Sequence, residues 1–146
     1  MASRPNILWV QTDEQRPDSL ACYGSTWART PPTDRLAAAG TVFRNCVCQS
    51  PVCVPSRISL LACEYPQECH TLMNDVHYAD ARRMRDLSED QVRQVWRDYM
   101  GLCAYVDHEL GRLLDALDAA GLRENTIVVF SADHGQGLGE WGATET

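Results

Sequence analysis

The chain has 146 residues, 45% of them hydrophobic and 23% charged, with a formal net charge of −7. That composition belongs to one globular domain rather than to a disordered chain, and an acidic balance without any basic stripe speaks against nucleic acid as a partner. All thirteen basic residues are arginine, so no mechanism that needs a lysine amine is open to it.

The first residues, Met1-Ala2-Ser3-Arg4-Pro5-Asn6, hold no apolar core of signal-peptide length, and no later apolar run approaches the length of a membrane span. A cytoplasmic protein with no membrane partner is the expectation, unless a leader has been removed. Seven cysteines in a reducing compartment are thiols rather than a disulfide frame. Their spacings, Cys46-x-Cys48, Cys53, Cys63 and Cys69-His70, contain no C-x-x-C pair, so a structural zinc site is weakly signalled.

In chain order, Asn6-Ile7-Leu8-Trp9-Val10-Gln11 reads as a buried strand of a parallel sheet, ending in Thr12-Asp13-Glu14-Gln15-Arg16. Acids just past the end of such a strand lie where α/β sheets place ligands, although a solvated turn explains them as well. A short helix is predicted over Thr33 to Ala39, begun near Pro32 and stopped at Gly40. A second strand is predicted over Thr41–Cys46. It leads to Cys53-Val54-Pro55-Ser56-Arg57, which opens a helix predicted over Ser56 to Ala62. A thiol at a helix mouth meets free amides and the positive dipole end, and both stabilise an anion. The ordinary alternative is a buried structural cysteine. Residues 69–87 pattern poorly and read as a junction.

Ser88-Glu89-Asp90-Gln91 has the capping-box pattern and starts the clearest helix. Val92, Val95, Trp96, Tyr99, Cys103, Val106, Leu110, Leu113, Leu114 and Leu117 recur at helical spacing, and Gly121 ends it. Asp107-His108-Glu109 reads as a solvated face, since adjacent residues on a helix point apart. Ile127 to Ser131 is the strongest strand signal. It ends in Ala132-Asp133-His134-Gly135, again an acid and a donor nitrogen past a strand. Parallel strands bring their ends to one sheet edge, so Asp13, Glu14, Cys53, Asp133 and His134 are predicted to converge. Oxygen donors with one imidazole suit Ca²⁺, Mg²⁺ or Mn²⁺. A divalent ion beside a nucleophile and Arg57 suits anionic ester chemistry.

These segments resemble the sulfatase family of the alkaline-phosphatase-like superfamily. Arg4-Pro5-Asn6-Ile7-Leu8 through Asp18 is similar to the family's opening strand and first metal loop. Cys53-Val54-Pro55-Ser56-Arg57 matches its C-x-P-S-R signature in full, and Ser131-Ala132-Asp133-His134-Gly135 is similar to its second metal segment. The resemblance covers about residues 4–68 and 88–142. It implies an α/β fold with a parallel-type sheet flanked by helices, a partial core of that superfamily in one domain. It also implies that Cys53 is oxidised by a formylglycine-generating enzyme to formylglycine. The aldehyde hydrate then attacks the sulfate ester and later releases sulfate. Arg57 would stabilise the hydrate. Asp13, Asp133, His134 and the modified Cys53 would hold the metal, calcium in most members, with Glu14 standing where many members carry aspartate.

The pattern departs from the family in two ways. The matching blocks are joined by about twenty residues, and the lysines that ordinarily grip sulfate are absent. A shortened sulfatase is therefore expected. Its alternatives are an inactive remnant that binds a metal or anion or self-associates as a homo-oligomer, and a phosphonate or phosphodiester hydrolase of the same superfamily.

Overall fold

A computed structural model of the chain describes residues 4–70 and 88–138. Most of the junction expected over residues 69–87 lies outside them, as does the end of the second block beyond Leu138.

Two seven-residue runs rich in β-branched and apolar side chains make the strands, β1 (Asn6–Thr12) and β2 (Thr126–Ala132), which pair in one sheet. The pairing is parallel. Asn6 Nδ2 donates to Thr126 Oγ1 at 3.5 Å near the start of both strands. Trp9 Nε1 donates to Ser131 Oγ at 2.8 Å, and Thr12 Oγ1 to the Ser131 carbonyl at 3.3 Å, near their ends. Alternation divides the side chains. Leu8, Val10, Val128 and Phe130 are half-buried, whereas Ile7 is 73% and Ile127 52% exposed, with Trp9 and Val129 beside them. Burial on both faces, expected from the apolar runs, is therefore not met. A parallel strand is covered on two sides only where helices lie on both, and among the described residues one face stays open.

The strand predicted over Thr41–Cys46 does not form. The segment is irregular and largely exposed, with Phe43 70% accessible, and its Phe43 carbonyl accepts a hydrogen bond from the Tyr23 hydroxyl at 3.0 Å. β-Propensity is realised only where a strand pairs and buries a face, and among the described residues this segment does neither.

Three helices follow the sequence signals with shifted ends. α1 spans Pro31–Ala39, α2 Cys53–Ala62 and α3 Glu89–Ala119. α3 begins in a reciprocal capping box. The Gln91 amide donates to Ser88 Oγ at 3.3 Å, and Gln91 Oε1 accepts from the Ser88 amide at 2.8 Å. It ends in a Schellman turn at Gly121, whose φ of 66° suits glycine, with the Leu122 amide on the Leu117 carbonyl at 3.2 Å. Gly40 closes α1 in an extended rather than left-handed conformation.

The chain divides into two compact units. The first takes residues 4–12, 17–44 and 100–131. Its core is Leu20, Cys103, Leu110 and Leu114. Gly111 lets α3 approach α1, since a Cβ there would stand 2.8 Å from Pro32 Cγ. Asp107 is 3% exposed, which corrects its reading as part of a solvated face. Pro31 and Pro32 have no amide hydrogen, so Thr33 offers the first free donor of α1. Asp107 Oδ1 accepts both that amide, at 2.9 Å, and Thr33 Oγ1, at 2.6 Å. His108 stays exposed, and Glu109 pairs with Arg112 at 2.8 Å, as a surface face requires.

The second unit takes residues 13–16, 45–70, 88–99 and 132–138. It holds α2, the start of α3 and the loops that directly follow β1 and β2. Within it the Arg16 guanidinium lies 5.4 Å over the Trp96 ring.

Candidate functional site

All six residues singled out from the sequence fall within the second unit. α2 starts three residues earlier than the helix predicted from Ser56, so Cys53 is itself the first helical residue, with Val52 at the cap. Pro55 fits the first turn, where its missing amide hydrogen costs nothing. Ser56, 2% exposed, donates from Oγ to the Asp133 carbonyl at 2.7 Å and so fastens the second loop to α2.

Arg57 ties the two loops to each other. Its Nη2 stands 2.6 Å from Asp13 Oδ1 and 2.9 Å from Asp133 Oδ2, and its Nε donates to Asp133 Oδ2 at 2.9 Å. The Asp133 side chain is fully buried. Its Oδ1 accepts the amides of Glu14 at 3.0 Å and His134 at 2.8 Å. Burial pushes the Asp133 carboxyl up. The Glu14 amide, the Arg57 guanidinium and the His134 amide together outweigh it and hold the group below the usual carboxylate value.

Around Cys53 the donors close in. Cys53 Sγ lies 2.9 Å from His134 Nε2, 3.7 Å from Glu14 Oε1 and 3.9 Å from Asp13 Oδ1. Ligand atoms of Asp13, Glu14, Cys53 and His134 all lie within 4.8 Å of one another. Asp133 Oδ2 is 3.8 Å from His134 Nε2 but is held by Arg57. His134 Nδ1 lies 3.1 Å from the Gly135 carbonyl, which only accepts. In the neutral ring the hydrogen therefore sits on Nδ1 and Nε2 keeps its lone pair toward Cys53.

The electrostatics favour a cation. Burial and then the Asp13 charge hold the Glu14 carboxyl above its ordinary value. Burial and then the charges of Asp13, Glu14 and Asp133 push the Cys53 thiol up, against the pull of Arg57. Three carboxylates against one guanidinium leave a formal −2 when Cys53 is a thiol and His134 neutral. A divalent ion offsets that charge, and the donors are the types such ions take, so the residues fit one. With no ion beside it, the sulfur stays protonated and is a weak nucleophile at neutral pH.

Residues that the sequence reading passed over as site residues hold the Glu14 turn. Glu14 adopts φ 57°, a left-handed conformation that costs a residue with a side chain about 1–3 kcal/mol. Tyr99, read only as an apolar position of α3, supports that turn: its hydroxyl accepts the Arg16 amide at 2.8 Å and donates to the Glu14 carbonyl at 3.0 Å. The Gln136 amide donates to the same carbonyl at 3.0 Å. Gln15 is 7% exposed, and neither polar atom of its side-chain amide finds a partner among the described residues. Ser56 was visible inside the signature but its bond to the second loop was not. A tyrosine interrupting an aliphatic stripe was the only signal available for Tyr99.

The sequence model of the family described as Sulfatase matches residues 5–88 and 64–146 of the chain. Steryl-sulfatase of Homo sapiens is 42% identical over 65 residues, which is 44% of this chain and 11% of that protein. Ulvan-active sulfatase of Formosa agariphila is 37% identical over 75 residues, 51% of this chain and 15% of that protein. Iduronate 2-sulfatase of Mus musculus is 44% identical over 61 residues, 42% of this chain and 11% of that protein. The chain thus spans a small part of the length of the curated relatives it matches. No solved structure matches it.

Proposed function

This chain belongs to the sulfatase family, and from that premise we propose that its centre serves hydrolysis of a sulfate ester by a modified Cys53 beside a divalent cation. The observation that carries the reading is the meeting of Cys53 with Asp13, Glu14 and His134, fastened by Arg57. Asp13, Glu14, Asp133, His134 and the modified Cys53 would hold the cation, with Ca²⁺ the expected ion and Mn²⁺ or Mg²⁺ the alternatives. When bound, such an ion polarises the ester oxygen and offsets developing negative charge.

The chain's own residues supply the rest. Conversion of Cys53 to formylglycine, by a maturation enzyme acting as partner, replaces a protonated thiol with a hydrated aldehyde, an oxygen nucleophile that does not depend on thiolate formation. Arg57 brings a fixed positive charge to the place where anionic oxygens gather. Ser56 fastens the Asp133 loop to α2 and Tyr99 fastens the Glu14 turn to α3, so the carboxylates are placed before substrate arrives.

Peptide mass spectrometry of the Cys53 segment after co-expression with a formylglycine-generating enzyme tests the modification. Hydrolysis of an aryl sulfate by that material, lost in Cys53→Ala, tests turnover. Calcium binding lost in both Asp13→Ala and Asp133→Ala tests the ligand set. Cys53 recovered only as thiol would refute the mechanism.

A second reading is favoured by two observations: the chain has no lysine to grip sulfate, and Ile7, Trp9, Ile127 and Val129 form an open apolar sheet face. In this reading the protein keeps the ion and associates with itself without turnover. Metal binding with no hydrolysis, together with a concentration-dependent mass in solution, would select it.

A further inference from the structure

Two donors of the cluster do not share the hard-ion chemistry of the carboxylates. Cys53 Sγ and His134 Nε2 lie 2.9 Å apart. Thiolate and imidazole are the donors of zinc sites, whereas Ca²⁺ takes oxygen. We propose that, while Cys53 keeps its sulfur, Asp13, Glu14, Cys53 and His134 form a four-coordinate site for a thiophilic divalent ion of the Zn²⁺ class, and that replacing the sulfur with oxygen hands the site to a hard ion. Only the second half rests on the reading of Cys53 as a formylglycine precursor.

The geometry supports a tetrahedral ion. With metal–sulfur distances near 2.3 Å and metal–nitrogen or –oxygen distances near 2.0–2.1 Å, the edges of the tetrahedron measure roughly 3.3–3.6 Å. Measured from Cys53 Sγ the separations are 2.9, 3.7 and 3.9 Å, and no pair of the four ligand atoms exceeds 4.8 Å. They bracket the required edges, and small rotations of the exposed Asp13 and half-buried Glu14 carboxylates close the difference.

The histidine is already prepared as a ligand. Its Nδ1 hydrogen is committed to the Gly135 carbonyl at 3.1 Å, which fixes the tautomer and aims the Nε2 lone pair at the sulfur, as the outer-shell partner of a zinc-bound histidine does. The support behind the donors is also rigid. Asp133 and His134 sit on a buried turn fastened by Ser56, and Glu14 is held in its unusual backbone conformation by Tyr99 and the Gln136 amide. Among the described residues no other group of three or more histidine, cysteine or acidic side chains is close enough to share an ion, so the exposed Cys46 and Cys48 do not offer a rival of this kind.

Metal choice at this centre therefore follows the chemical state of one atom. A soft ion held by sulfur occupies the unmodified chain and covers Cys53, while the oxygen donors of the modified chain suit Ca²⁺. The two forms of the protein differ in which ion they retain.

The test uses the full chain expressed without a maturation enzyme and titrated with Co²⁺ alone as the spectroscopic probe for Zn²⁺. One equivalent is expected to produce thiolate-to-cobalt charge-transfer absorption and the intense visible bands of a tetrahedral ion, both erased by Zn²⁺. Cys53→Ser is expected to lose the charge-transfer band and to weaken Zn²⁺ binding more than about 100-fold, beyond the range for losing an outer-shell partner. The Cys46→Ser, Cys48→Ser double variant keeps the band. A band that survives in Cys53→Ser, or weak spectra of a six-coordinate ion in the unaltered chain, overturns the proposal. Iodoacetamide labelling of the unaltered chain, read by peptide mass spectrometry, gives a measure that needs no variant to fold. Zn²⁺ at ten or more times its dissociation constant slows labelling of Cys53 about tenfold and leaves Cys63 unchanged; equal rates with and without Zn²⁺ refute it. If Cys53 never matures but the cobalt band appears, the hydrolase reading fails and the zinc site stands. If Cys53 matures and no band is seen in the unmodified chain, the reverse holds.

Discussion

Replacing Tyr99 with phenylalanine removes the oxygen that binds the Glu14 turn. That oxygen accepts the Arg16 amide at 2.8 Å and donates to the Glu14 carbonyl at 3.0 Å. The two losses are unequal. The Glu14 carbonyl keeps the Gln136 amide at 3.0 Å, so it stays satisfied. The Arg16 amide loses this acceptor in a half-buried setting, and leaving a buried donor unmet costs about 1–3 kcal/mol. The turn at Glu14 also loses one of the bonds that hold its φ of 57° in place. Urea unfolding followed by tryptophan fluorescence should therefore show Tyr99→Phe destabilised by about 1–3 kcal/mol with an unchanged m-value. Metal affinity should fall by about 10–100-fold, the range for an outer-shell partner. If the variant unfolds at the parent midpoint and binds metal with parent affinity, the hydroxyl does not organise the Asp13–Arg16 loop, and the argument fails at its first step.

The remaining predictions address other parts of the molecule. Asp107→Ala strips the first free amide of α1 of its acceptor and should lower stability by about 2–3 kcal/mol in the same denaturation assay; a loss below about 0.5 kcal/mol would mean that water replaces the carboxylate. Gln15→Leu exchanges a buried amide without partners among the described residues for a side chain of similar shape, and should leave the unfolding midpoint unchanged or raise it by up to about 2 kcal/mol. A clear drop would reveal that the amide has a partner of its own. Burial, and then the Asp34 charge, push the Cys22 thiol above its ordinary value of 9.0. A group whose folded value lies above its unfolded one contributes stability that is full below the unfolded value and is lost as pH rises through the folded one. Stability should therefore decline from about pH 9 upward, and Cys22→Ser should make that decline shallower; an identical alkaline limb in the variant would show that Cys22 does not drive it.

What could be read from the chain alone was whatever depends on neighbours along it. The capping box at Ser88 and Gln91, the glycine stop at Gly121 and the apolar stripe of α3 are contacts within one or two turns, so local sequence specifies them. The strands β1 and β2, and the order of Asp13, Cys53-x-Pro-Ser-Arg57 and Asp133-His134, were visible for the same reason, and the family followed from that order.

Tertiary structure decided whatever depends on partners distant in sequence. Asp107 looks like one acid among several on a surface helix until the two prolines of α1 leave Thr33 needing an acceptor 74 residues away. Thr41–Cys46 has the composition of a strand but pairs with no strand among the described residues, and stays irregular. Tyr99 carries no motif, and its task exists only because the Glu14 turn lies beside it. The distance between Cys53 and His134 is of the same kind. Spacing along the chain placed both near a sheet edge, but only folding brings sulfur and nitrogen to 2.9 Å, and that separation determines which ions the centre can hold.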